Sequence, residues 1–257
     1  MAASTRIAGY DATSVTIRGQ DLVTDLMGKV TFAELMLLQM TGTMPSKAQS
    51  TILDAVLVTI MEHGLVPSAI VSRMTLYGAP ESFQGAVVAG LLGVGDRFAG
   101  TASECSKFLE KIVGAEAGGR AAVAQELVKE ARALKKPIPG FGHPVHKDVD
   151  PRSARLLEIV KAAGAKGDYV SALTQLENAV TAVVGKRIVT NVSAAIAVAL
   201  CEAGVPVKAQ RGVVLTARCA GLAGHLLEES EAPAGEAMWN AVTDAVRYEP
   251  LPKPPGD

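Results

Sequence analysis

Aromatic residues are scarce in this chain: Phe, Trp and Tyr make up 4% of its 257 residues. Runs of Val, Ile, Thr and aromatics alternating at period two are absent, which argues against a fold built from β-strands. Neither sign of charge is in surplus. Lys and Arg number 25 against 26 Asp and Glu, a formal net charge of −1. A balance this near neutral offers no bulk attraction for nucleic acid or an anionic membrane surface, so neither is expected as a partner. Cysteine is limited to Cys105, Cys201 and Cys219, widely spaced, odd in number and without a Cys-x-x-Cys pair. A reducing, cytoplasmic setting is therefore expected, with the thiols acting as small buried hydrophobes. No run of about 18 apolar residues occurs, so no membrane span is expected. The opening segment MAASTRIAGYDATS lacks a basic start followed by an apolar run and does not read as a secretory signal.

Apolar, helix-compatible residues are what the chain has in quantity. Hydrophobic residues reach 49%, and the mean hydropathy is +0.26. The length suffices for one large domain or two small ones. The apolar excess implies apolar surface covered in subunit contacts, hence a homo-oligomer. Thr31-Phe-Ala-Glu34 is a capping box and predicts a helix from Phe32 to about Met40, ending near Gly42. Further helices are predicted over 48–62, 86–92, 101–113 and 120–134. Asp150-Pro151 places a capping Asp before a Pro at the first helical position, starting a helix to about Ala163. Segments 168–184, 192–203, 212–229 and 235–247 complete the set, several closed by glycine. The chain reads as all-α, with about ten helices and no internal repeat. The Pro-rich tail Pro250–Asp257 reads as an extended arm or disordered end.

The chemistry is concentrated between Gly140 and Arg152, which reads GFGHPVHKDVDPR. Gly140-Phe141-Gly142 lets backbone approach a ligand closely, and Pro144 holds His143 extended. His146 and Lys147 follow, and Arg152 stands in the first turn of the next helix. An imidazole, an ammonium, a guanidinium and an open helix N-terminus in one segment suit an anionic substrate. The same residues also read as a polar interhelix loop. His143-x-x-His146 lacks a further ligand at metal-binding spacing, so no metal is expected.

Gly140-Phe-Gly-His143 followed by Asp150-Pro-Arg152 resembles the GFGH and DPR tracts of the citrate synthase superfamily. Ile17-Arg-Gly-Gln-Asp21 resembles its RGYD-type tract, Leu38–Pro45 its LLTGELP tract, and Glu62-His63-Gly64 its DHG-type site. Thr216–His225 resembles the late helix that carries a carboxylate-binding Arg. Leu92-Gly-Val-Gly-Asp-Arg-Phe-Ala-Gly100 resembles the GDRFGG tract of the citryl-CoA lyase and ATP-citrate lyase modules more than the HGGA tract of citrate synthases, whose His aligns with Phe98. The length is that expected of a stand-alone lyase module.

This resemblance implies an all-α fold with a large domain, 1–100 plus 194–257, and a small domain, 101–193, with the active site in the cleft between them. It implies a lyase cleaving a citryl-CoA-like thioester to acetyl-CoA and oxaloacetate, with no cofactor beyond the CoA of the substrate. His143 then exchanges a proton with, or hydrogen-bonds, the reacting oxygen. His63, Arg152 and Arg218 hold carboxylates, with Arg97 among the substrate-binding residues. Gly140, Phe141, Gly142 and Lys147 lie at the CoA. His225 reads as structural or near an interface. The family's Asn-Val-Asp stands here as Asn191-Val192-Ser193, and serine alone is no carboxylate base. His146, Asp96 and Glu177 are candidates for the missing role. Ser193 also leaves open a different 3-hydroxy-3-carboxyacyl-CoA substrate, a citrate synthase, or a non-catalytic binding protein.

Overall fold

The computed structural model describes residues 3–96, 100–142 and 148–251. Among them are eleven α-helices: α1 (Phe32–Thr41), α2 (Lys47–Met61), α3 (Pro67–Gly78), α4 (Phe83–Leu92), α5 (Thr101–Gly114), α6 (Arg120–Ala133), α7 (Pro151–Ala162), α8 (Asp168–Val184), α9 (Val192–Glu202), α10 (Val207–Glu231) and α11 (Gly235–Ala245). The all-α expectation holds, and the sequence signals set most boundaries. Thr31 Oγ1 accepts from the Glu34 N–H while Glu34 returns a bond to Thr31, completing the capping box. Gly42 and Gly185 close α1 and α8 in the left-handed conformation, at φ +78° and +79°.

Three differences have physical reasons. A small antiparallel sheet, β1 (Ala8–Tyr10), β2 (Val15–Ile17) and β3 (Gln20–Asp21), stands where no strand was expected. Strands of two or three residues are too short to display an alternating pattern. Their turns carry the specification instead. Asp11 accepts the N–H groups of Thr13 and Ser14 between β1 and β2, and Arg18-Gly19, both at positive φ, make the tight turn between β2 and β3. Helix α3 also went unforeseen. It starts on Pro67 at the first helical position without a side-chain cap. Finally, α10 begins at Val207, not 212, because Gly212 is accommodated inside the helix.

By their contacts the residues group into two compact units, 1–60 with 96–216, and 61–95 with 217–257. These limits differ from the division near 100 and 193 that the resemblance implies. The first unit is organised around α9, in which eight consecutive residues, Ala194 to Cys201, are buried. A helix apolar on all sides belongs at the centre of its unit. Its alanines let α5, α7 and α8 approach closely, and Leu109, Ile112, Leu127, Val128, Leu173 and Leu176 fill the surrounding core. In the second unit α3 packs on α4 and α11, with Leu76, Ala86 and Leu226 buried together. Among the described residues no single helix is long and apolar enough to cross a membrane.

Candidate active site

In the first unit the glycine-rich loop is held by backbone pairing. Phe141 forms an antiparallel bridge with Thr190. The Gly142 N–H donates to the Val189 carbonyl at 2.8 Å, and the Asn191 N–H donates to the Gly140 carbonyl at 2.9 Å. Asn191 then uses both ends of its amide. Nδ2 donates to the Gly142 carbonyl at 2.8 Å, and Oδ1 accepts the Ser193 N–H at 2.9 Å as the N-cap of α9. Gly140 has φ +86°, and a Cβ there would lie 2.7 Å from Ala194 Cβ and 3.0 Å from Cys105 Sγ. Only glycine meets both the backbone sign and the space.

Asp150, 1% exposed, joins two helix starts. It caps α7 by accepting the Arg152 N–H at 3.1 Å, and it accepts the Val192 N–H at the head of α9 at 3.1 Å. Arg152 folds back on it in a two-point contact, Nε to Oδ1 at 3.1 Å and Nη2 to Oδ2 at 3.0 Å. Burial alone would raise the Asp150 pKa. The bonds and charge from Arg152 and the Val192 amide outweigh burial and hold it below the ordinary carboxylate range. Ser193 sits in the first turn of α9, half-buried. Glu177, on α8, accepts a short hydrogen bond from the Thr190 hydroxyl. Paired residues of an antiparallel bridge share a face, and Phe141 packs into the core cluster. Thr190 and Glu177 are both half-buried. Asp96 is exposed and ion-paired to Arg211.

The second unit holds a connected set of charges. Arg73 of α3 is 3% exposed. It ion-pairs Glu229 at 3.0 Å and, more closely, Glu228, both on α10. Its Nε donates to His225 Nδ1 at 3.0 Å. An arginine nitrogen only donates, so Nδ1 accepts and the imidazole is neutral with its proton on Nε2. Nε2 then donates to Glu62 Oε1 at 3.0 Å. The same oxygen accepts the N–H groups of His63 and Gly64, each at 2.7 Å. Burial again acts to raise the Glu62 pKa. The His225 and backbone hydrogen bonds prevail and lower it. Glu229 Oε1 additionally accepts the N–H groups of Ala234 and Gly235, where α11 begins. Arg218 is buried, with Nη1 donating to the Met61 carbonyl at 3.2 Å and Nη2 to Ser68 Oγ at 3.3 Å. His63 is exposed.

The residues singled out from sequence thus fall into two sets. Gly140, Phe141, Gly142, Arg152 and Ser193 converge in the first unit, while His63 and Arg218 lie near each other in the second. Arg97, Phe98, His143, His146 and Lys147 lie outside the described residues. Sequence reading missed Asn191 as a bridge to the glycine loop, and it missed Arg73 altogether. The available signals were an Arg embedded in the apolar α3 and the His225-x-x-Glu228-Glu229 spacing along one helix face. His225, read as structural or interfacial, is bonded through both ring nitrogens. Cys105 and Cys201 are buried thiols. Burial raises both pKa values, that of Cys201 to about 11, which leaves them protonated and unreactive at neutral pH. Among the described residues no three His, Cys, Asp or Glu side chains gather as metal ligands.

Comparison with known proteins agrees with this architecture. The family model for the citrate synthase C-terminal domain matches residues 1–237. The citryl-CoA lyase of Hydrogenobacter thermophilus superposes with a TM-score of 0.87 at 29% identity, over 99% of this chain and 97% of that one. The ATP citrate lyase of Methanothrix soehngenii, solved with citrate and coenzyme A, shares the fold at 18% identity and a TM-score of 0.80, over 98% of this chain and 42% of that one. A citrate synthase from Synechocystis is 27% identical over 207 residues, 78% of this chain and 50% of that protein. The chain spans about half the length of the curated relatives it matches.

Proposed function

Because the chain belongs to the citrate synthase family, we propose that it acts on CoA thioesters as a carbon–carbon lyase of the citryl-CoA type. The observation that supports the lyase reading is the likeness to citryl-CoA lyase along nearly the full length of both chains. In this reading a base takes the proton of the citryl hydroxyl, the adjacent C–C bond breaks, and its electron pair becomes the enolate of acetyl-CoA. Oxaloacetate leaves and the enolate carbon is protonated. The balance needs neither an oxidant nor a metal. His143 serves the reacting oxygen. His63, Arg97, Arg152 and Arg218 serve the carboxylates. Gly140–Gly142 and Lys147 serve the CoA. The active unit in this reading is a homodimer or a larger homo-oligomer, as the family resemblance and the apolar composition imply.

Ser193 supports a second reading. A carboxylate at its position would stand in the first turn of α9, where the helix dipole favours negative charge, yet the chain places a hydroxyl there. A different 3-hydroxy-3-carboxyacyl-CoA, or binding without turnover, follows from that exchange. One coupled assay separates the readings. Oxaloacetate release from citryl-CoA is followed by its reduction, for the wild type, His143→Ala and Ser193→Asp. Release by the wild type and its loss by at least about 100-fold in His143→Ala, the range typical of a lost acid–base group, supports the lyase. Release from Ser193→Asp alone eliminates citryl-CoA cleavage as the native activity.

A further inference from the structure

Helix α10 grips the turn after α2 at successive positions along one face. Residues 218, 221 and 225 are three and four apart, so they line up on the helix surface. Arg218 donates to the Met61 carbonyl, the last of α2, where a cation also complements the helix C-terminus. Gly221 is the point of closest approach: a Cβ there would stand 2.1 Å from the Met61 carbonyl oxygen and 2.9 Å from a Glu62 carboxylate oxygen. His225 completes the series through Glu62 Oε1, which gathers His225 Nε2 and the N–H groups of His63 and Gly64 on one atom. Gly64, at φ +69°, then turns the chain toward α3.

We propose that His225 and Glu62 are positioning residues for His63: the Arg73–His225–Glu62 chain fixes the peptide that carries the His63 side chain, and so tunes the dicarboxylate affinity of the site. The inference rests on the reading of His63 as a carboxylate-binding residue. Three features favour positioning over simple stability. Glu62 and His63 themselves are exposed and bury little. The His225 tautomer is set by Arg73, whose charge is independently matched by Glu228 and Glu229. Among the described residues, the bonds of Glu62 Oε1 beyond His225 go to the His63 and Gly64 amides, which flank the His63 side chain and lead into the following turn.

The test combines amide hydrogen exchange with oxaloacetate titration of the full chain, for the wild type, His63→Ala, His225→Ala, His225→Gln and the His63→Ala/His225→Ala double variant. In His225→Ala the amides of His63 and Gly64 lose protection while those of α9 keep it, and oxaloacetate affinity falls about tenfold, the effect of roughly one charge-assisted hydrogen bond. His225→Gln, whose amide N–H can still reach Glu62, returns affinity toward the wild type. The double variant binds no more weakly than His63→Ala. Unchanged protection at His63 and Gly64 in His225→Ala, or additive losses in the double variant, overturns the proposal. If His63→Ala binds oxaloacetate like the wild type, the carboxylate role of His63 fails instead, and the exchange data still decide whether His225 holds the turn.

Discussion

The glycine-loop region of the first unit and the charged region of the second position their residues by different physics. Around Gly140–Gly142 and Asp150–Ser193 the work is done by backbone pairing and helix capping. Most of the donors are peptide N–H groups, joined by the Asn191 amide and the Arg152 guanidinium, and most of the acceptors are carbonyls or short Asn and Asp side chains. Around Arg73, His225, Glu62 and Glu229 the work is done by long side chains meeting across 150 or more residues of sequence. Backbone pairing tolerates side-chain exchange but not an added Cβ or a lost cap. A buried charge set tolerates neither the loss of one partner nor a change of protonation. The two regions should therefore break under different substitutions.

The largest expected effect is in the second unit. Arg73→Met leaves the Glu229 carboxylate buried without its counter-charge and should cost about 3–5 kcal/mol in urea unfolding. Adding Glu229→Gln removes that stranded charge while keeping an oxygen for the Ala234 and Gly235 amides. The double variant should recover roughly half of the loss. A double variant less stable than Arg73→Met would show that the contrast between the regions is misdrawn.

In the first unit the sharper probe is glycine. Gly140→Ala combines a disfavoured positive φ with a Cβ driven against Ala194 and Cys105, and should cost about 2–4 kcal/mol. Gly142→Ala has the same sign of φ but among the described residues meets only Ile188, at 3.9 Å, and should cost about 1–2 kcal/mol. Equal melting shifts for the two would mean that packing against α9 contributes nothing to holding the loop.

The smallest effect is acidic. The Asp150 pKa is lowered by folding, so its stabilisation is complete above the ordinary Asp value, about 3.9, and is lost as pH falls through the lowered native value. Asp150→Asn should cost about 1–2 kcal/mol at pH 7, with Arg152 partly screened by solvent. The gap from the wild type should close below about pH 4. A gap that persists in strong acid would assign the loss to packing instead of charge.

Legibility followed the same contrast. Asp150-Pro151, the Thr31–Glu34 capping box and the closing glycines are local devices, and each was readable because its partners lie within four residues. Gly140 was readable as special but not why: its limits are Ala194 and Cys105, residues distant in sequence. Asn191 enters from sequence only through its match to the family's Asn-Val-Asp, while its bond to Gly142 becomes visible only when the two segments lie side by side. Arg73 left almost no trace, because a buried Arg in an apolar helix is intelligible only once Glu228, Glu229 and His225 are seen around it. The strands at residues 8–21 were hidden for a simpler reason, being too short to show a period.

By itself the sequence determined the helical class, most helix limits and the family to which the chain belongs, since capping, periodicity and motif spacing act over a few residues. Only the tertiary structure decided that Asp150 serves two helices, that Asn191 binds the glycine loop, and that His225 is a neutral link between Arg73 and the turn bearing His63. Those outcomes depend on which surfaces meet once the helices within each unit have packed. No local pattern encodes the distance between groups a hundred residues apart.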